Sequence, residues 1–180
     1  MKKIVSTVFT FVLIALFCSA FAQKFGHIDA NKLFTVMPEK DKATNELTEY
    51  SKQLEGELMK MQDELKKKYD EYTAGADKMS DLIKQTKEKE LQDLNQRIQN
   101  YQQQAQQDLA KKEQDLMQPI YEKIRKAIKD VGEEKKFMYI FDTSILLHYS
   151  NESTDVFDLV KTKLGIKDED IKKNTKDKKN

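Results

Sequence analysis

Two histidines, His27 and His148, are the only imidazoles in this chain of 180 residues. Carboxylates stand near both, in the order His27-x-Asp29 and Asp142 followed by His148. In a strand, residues two apart share a face, so His27 and Asp29 could present a pair of ligands or an acid/base couple. A metal centre asks for three or four converging ligands, and the sequence has no third histidine to add. Aspartates in such positions more often accept backbone N–H groups where a strand ends. The five glycines are scattered at 26, 56, 75, 132 and 165 and form no phosphate-cradling loop. No G-x-S-x-G and no Ser/His/Asp grouping stands out. The residues therefore point away from an enzyme, from a metal and from any cofactor.

The single cysteine, Cys18, lies in a segment that reads as a secretory leader. Met-Lys-Lys opens it, an apolar run follows from Ile4 to Phe17, and Ala20-Phe21-Ala22 supplies an A-x-A-like site. The run is short for a membrane span. Bulky Phe17 in front of Cys18 speaks against a lipidated cysteine. With cleavage after Ala22, the leader takes away 22 residues and two lysines. From 180 residues and a formal charge of +1, this leaves 158 residues at −1. The chain is expected to be exported. The exported chain has no thiol, hence no disulfide and no thiolate nucleophile. A near-zero net charge argues against nucleic acid as a partner.

The elements that would position any site are announced by segregated residue types. Beyond the leader, Phe occurs only at 25, 34, 137, 141 and 157, and no Val or Ile falls between 40 and 82. The middle is built from Glu, Lys, Gln, Leu, Met and Ala, which favour helix. β-branched and aromatic residues, which favour strands, gather at the two ends. Leu47, Tyr50, Leu54, Leu58, Met61, Leu65, Tyr69 and Tyr72 repeat every eleven residues, a stripe that stays nearly straight on a helix. A second stripe runs Leu91, Leu94, Ile98, Tyr101, Ala105, Leu109, Leu116, Ile120, Ile124 and Ile128. Each helix must bury its stripe on a partner. The spacing predicts two antiparallel helices over 40–132 that reverse near 74–80, with Ser80 as N-cap. Pro119 should kink the returning helix, and Gly132 should cap it. Eight glutamines within 92–107 read as a solvated helix face.

The ends, 23–39 and 133–165, should meet as a small body. Phe25–Asp29, Phe137–Asp142 and Ile145–Tyr149 read as three strands, the last two joined by a tight turn at Thr143-Ser144. Asp155–Leu164 reads as a closing helix, and 166–180 as a disordered tail. Its lysines, Lys172, Lys173 and Lys176–Lys179, could touch an anionic lipid surface. So thin a core without disulfides predicts oligomerisation through the body, around Phe25, Ile28, Ile140, Phe141 and Leu146. The fold class is α+β, a small β-rich body carrying a long helical hairpin.

Several local words in this order resemble the Skp/OmpH family of periplasmic chaperones. They are Gly26-His27-Ile28-Asp29, Asn31-Lys32-Leu33-Phe34 and Pro38-Glu39, then the charged hairpin, Tyr139-Ile140-Phe141-Asp142 and Asp155-Val156. The resemblance implies a jellyfish-shaped homotrimer whose arms enclose a cavity. It also implies ATP-independent holding of unfolded outer-membrane β-barrel proteins before insertion. Under that reading Met59, Met61, Tyr69, Tyr72, Met79 and Tyr101 are candidate client contacts, since Met and Tyr adapt to varied partners. For the stripe members among them, packing between the two helices is the plainer role. A different class of function would be a trimeric coiled-coil adaptor that bridges envelope components through the hairpin tip. The resemblance differs in charge, because well-known members are basic and this chain is near neutral.

Overall fold

A computed structural model describes residues 23–167. The leader expected over 1–22, and the tail lysines from 172 onward, lie outside the described residues. Strand β1 (Phe25–Ile28) is followed by the short helix α1 (Ala30–Thr35) and two long helices, α2 (Pro38–Gly75) and α3 (Asp81–Glu134). Strand β2 (Tyr139–Asp142), a 3₁₀ turn (Thr143–Ile145), strand β3 (Thr154–Asp155) and helix α4 (Phe157–Lys163) complete the chain.

Asp29 ends β1 and starts α1, its carboxylate accepting the Lys32 N–H at 2.7 Å. Pro38 occupies the first turn of α2, where its missing N–H costs nothing. At 38 and 54 residues, the two helices extend roughly 55 and 80 Å at 1.5 Å per residue. They are joined by a 3₁₀ turn at Ala76–Lys78. Ser80 caps α3 by accepting the Ile83 N–H at 3.4 Å. The expected kink at Pro119 is not a break, for α3 is helical straight through it. The proline withholds one N–H from the Asp115 carbonyl, and the helix continues on either side of it.

Gly132 does not cap α3, which continues to Glu134. Phe137 N–H donates to Gly132 O at 2.9 Å and Lys136 N–H to Glu133 O at 3.3 Å, the paired bonds of a Schellman ending. The left-handed residue is Lys136, at φ 57°. Helix α4 ends in the same way, with Gly165 at φ 72° and Ile166 N–H donating to Lys161 O at 3.1 Å. This ending turns Ile166 into the core, so the ordered chain extends past 165, where a tail was expected to begin.

The sheet has the order β2-β1-β3 and is parallel throughout. Phe25 pairs with Tyr139 and His27 with Phe141; Gly26 pairs with Thr154. Parallel neighbours need a crossover, and here the entire helical hairpin serves as the one between β1 and β2. The expected third strand at Ile145–Tyr149 does not form. Its residues are apolar and aromatic as a strand's often are, but Thr154–Asp155 takes the free edge of β1 instead. The core lies on the inner face of the sheet, where Ile28 meets Leu33, Met37, Ile124, Val131, Val156 and Val160. A Cβ at position 26 would stand 3.1 Å from Val156 and 3.2 Å from both Ile140 and Phe137. Glycine leaves room for these three side chains to close over β1, where a Cβ would have to push them aside by a few tenths of an ångström.

Candidate functional site

Alternation along the strands puts two different surfaces on the sheet. Ile28 and Ile140, expected to join copies, belong to the interior: Ile28 is fully buried and Ile140 packs against the core. Phe25 and Phe141 face outward and are exposed, together with Tyr139. Phe25 stacks on Tyr139 at 6.2 Å between ring centroids, and Tyr139 on Phe141 at 5.8 Å. Leu146 is half-buried beside them. Together they make an aromatic ladder on the outside of a small body.

His27 belongs to this outer face and is its buried polar residue, 8% exposed. Nδ1 lies 2.9 Å from Ser153 Oγ, and the ring lies against Tyr149 at 4.1 Å. Neither contact is with Asp29. All three strand-end aspartates bond backbone: Asp29 to Lys32, Asp142 to Ser144 at 2.9 Å and Asp155 to Phe157 at 2.9 Å. Among the described residues no group of three or more His, Cys, Asp or Glu could hold a metal ion. His27 instead pins the segment 146–153 across the sheet. That segment and the ladder border a cleft of about 720 Å³, lined by Phe25, Phe141, Leu146 and Tyr149, with Lys24 and Glu152 among its polar groups. Sequence reasoning did not find the cleft, because Tyr149 and Ser153 reach His27 through a loop that no periodicity announces.

The second surface is the seam of the arm. The stripes of α2 and α3 face one another, yet between the turn and Ala105 only Leu94 and Ile98 become buried. Leu54, Leu58, Leu65, Leu91 and Ala105 stay half-covered, because two helices can shield only one side of a stripe each. Shallow grooves remain beside Leu54, Leu58 and Leu109, and beside Leu65, Tyr72 and Leu91.

Of the six candidate contact residues, Met59 is 63% exposed and Tyr69 is exposed too. Met61, Tyr72, Met79 and Tyr101 are half-buried. Tyr72 donates its hydroxyl to Glu88 at 2.6 Å, which raises its pKa above the ordinary phenol value. Tyr101 donates to the Leu54 carbonyl at 3.3 Å. These two tyrosines thus tie one helix to the other. Met79 folds over Gly75, with its Cε in the space a Cβ would need.

Charged residues also cross the seam. Lys112, which interrupts the second stripe, pairs with Glu46, and Lys123 pairs with Glu39. The Lys123 ammonium holds the Glu39 carboxyl below its usual value, and Glu46 raises Lys112. At the turn, Leu82 is 74% exposed and Ile83 is exposed beside it. No helix among the described residues is long and apolar enough to cross a membrane.

Among solved structures, one from Caulobacter crescentus, described as a candidate outer membrane chaperone (OmpH-like), matches with a TM-score of 0.69 at 16% identity. The match covers 78% of this chain and 82% of that one; at such identity it speaks for the fold alone. No curated protein matches the chain. The sequence pattern of outer membrane proteins of the OmpH-like type matches residues 24–164, from the strand beside the aromatic ladder to the end of the closing helix. That match takes in the whole of the sheet and the hairpin, well over half of the 180 residues, and the chain therefore belongs to the OmpH-like family.

Proposed function

We propose that the protein is an ATP-independent holdase of the periplasm, which keeps unfolded outer-membrane β-barrel proteins from aggregating before insertion. The observation that carries this reading is the arm, two helices whose apolar stripes are covered on one side only along most of their length. Unfolded barrel strands present alternating apolar residues and open edges that pair with one another. A long surface of Leu, Met and Tyr offers them many weak, adaptable contacts, and Met59 and Tyr69 are the most accessible of these. Family membership and the leader-like segment support export. The aromatic ladder supports assembly of several copies, a homotrimer on the family's pattern, so that arms from different copies enclose one client. Holding of this kind requires no nucleotide and no catalytic group.

The test is light scattering of a urea-unfolded outer-membrane β-barrel protein on dilution, with and without the chaperone and without ATP. Suppressed scattering and a soluble complex of three subunits with one client are expected. A client that aggregates at the same rate in both samples would overturn the reading. The exposed Leu82 and Ile83 at the turn favour a second reading, an adaptor that grips a fixed partner by its tips. An oligomer with no affinity for unfolded protein would leave that one standing.

A further inference from the structure

Cleavage after Ala22 would leave Gln23 as the first residue of the exported chain. Gln23 is exposed and belongs to no helix or strand. It borders the outer cleft together with Phe25, Ser150 and Glu152. Directly after it the chain is fixed, for the Lys24 carbonyl accepts the Met138 N–H at 2.8 Å and β1 begins at Phe25. β1 is also the central strand, the one that pairs with both others. The middle of the sheet therefore starts just past residues 23 and 24, within easy reach of anything that acts on the new amine.

We propose that Gln23 is a modification site, where the new α-amine closes on the residue's own side-chain amide to form a pyroglutamyl lactam that seals the start of β1. The inference goes beyond the holding of clients and rests on the export reading, through cleavage after Ala22. The neutral amine attacks Cδ and an N–Cδ bond forms. The Cδ–Nε2 bond breaks, and ammonia leaves with a proton taken from the amine. No oxidant, metal or second substrate is consumed. Amine and amide belong to one residue, so the step has the advantage of an intramolecular reaction. An α-amine titrates at about pH 8, so at neutral pH a share of it is the free nucleophile. Gln23 lies outside every strand, so closing the ring disturbs no ladder bond. The neutral lactam also lies against the aromatic wall at less desolvation cost than an ammonium.

The product lacks what an aminopeptidase requires, a free α-amine. Exposed chain ends are where proteolysis concentrates. Removal of residues 23 and 24 would delete the carbonyl that holds Met138 and bring the enzyme to Phe25, the first ring of the ladder.

The test is the intact mass of the mature protein, expressed with its leader in a cell that exports it and purified cold at neutral pH. A chain of residues 23–180 lighter by one ammonia is expected. Its N-terminal sequencing should be blocked, and pyroglutamyl aminopeptidase should restore it with Lys24 first. A chain that begins at Gln23 with its full mass and an open amine would overturn the proposal. A chain that begins elsewhere would overturn it together with the leader reading, and the mass tells the two results apart. The dilution assay for client holding is independent of both. Gln23→Ala cannot cyclise and tests the seal. Under a broad-specificity aminopeptidase it should lose residues 23 and 24 roughly tenfold faster than the parent or more, and its melting temperature should then fall. A variant trimmed no faster than the parent would overturn the sealing role.

Discussion

Lys136 and Gly165 hold the same backbone conformation with opposite ease. Each is the left-handed residue of a Schellman ending, at φ 57° and φ 72°, where a Cβ crowds the following carbonyl. Lys136→Gly is therefore expected to stabilise the protein by up to about 1 kcal/mol, the relief being partly offset by glycine's freedom in the unfolded chain. Gly165→Ala should destabilise it by about 1 kcal/mol. Urea midpoints of the two variants check both signs. The pair also shows what a residue discloses in sequence. Gly165 marks its helix end correctly because glycine is the usual occupant. Gly132 misleads for the same reason: it sits inside α3, and a lysine four residues past the expected end takes the strained position. His27 and Asp29 read as possible partners because alternation aligns them, but the strand stops between them. Asp29 then serves α1, and His27 turns to a serine 126 positions away.

Elements driven by periodicity were legible, and elements decided by competition were not. The apolar stripes fix α2 and α3 because a 3.6-residue period over many turns has no other explanation. Lys112 within the second stripe gave no sign that Glu46 waits across the seam. The third strand went to Thr154–Asp155, two polar residues of which only the threonine favours a strand. Their place follows from the open edge of β1 and from Val156 N–H donating to His27 O at 3.0 Å. Ile145–Tyr149 has the better strand composition, but its first residue is taken into the 3₁₀ turn after β2 and the segment joins neither edge of the sheet.

The base of the hairpin has a pH response of known sign. Glu39 titrates below its unfolded value because of Lys123. Its contribution is complete above the ordinary carboxylate range and disappears as pH falls through the lowered folded value. Glu39→Gln should thus lower the melting temperature slightly at pH 7 and lose that difference in strong acid. The pair is largely exposed, so about 1 kcal/mol is the ceiling. Thermal melts of both chains from pH 2 to 7 measure it.

For the whole molecule, arm and body divide the labour under the proposed function. The Glu46–Lys112 pair shows that α2 and α3 run side by side at that level, so a short turn can replace residues 45–112. The shortened protein is expected to keep the mass of the intact oligomer, since the ladder remains. It should no longer suppress aggregation of an unfolded β-barrel protein. Mass by light scattering and the dilution assay together decide this, and a shortened form that protects clients fully would place the holding surface on the body. A double change of Ile140 and Phe141 to Asp would not separate assembly from folding, because Ile140 supports the protomer's own core while Phe141 faces outward.

The route by which the chain reaches this shape follows from its crossover. Strands β1 and β2 stand on either side of the hairpin, so their ladder joins residues more than a hundred positions apart. Searching for that register through an unstructured segment would be slow, as it is for any fold rich in distant contacts. The hairpin needs only neighbours along the sequence, and helices form in about a microsecond. Once α2 and α3 lie together, the two strands are delivered to each other as the ends of a closed clamp, and the long loop contracts to a few residues. The arm proposed to hold other chains is therefore first the jig on which its own sheet is assembled.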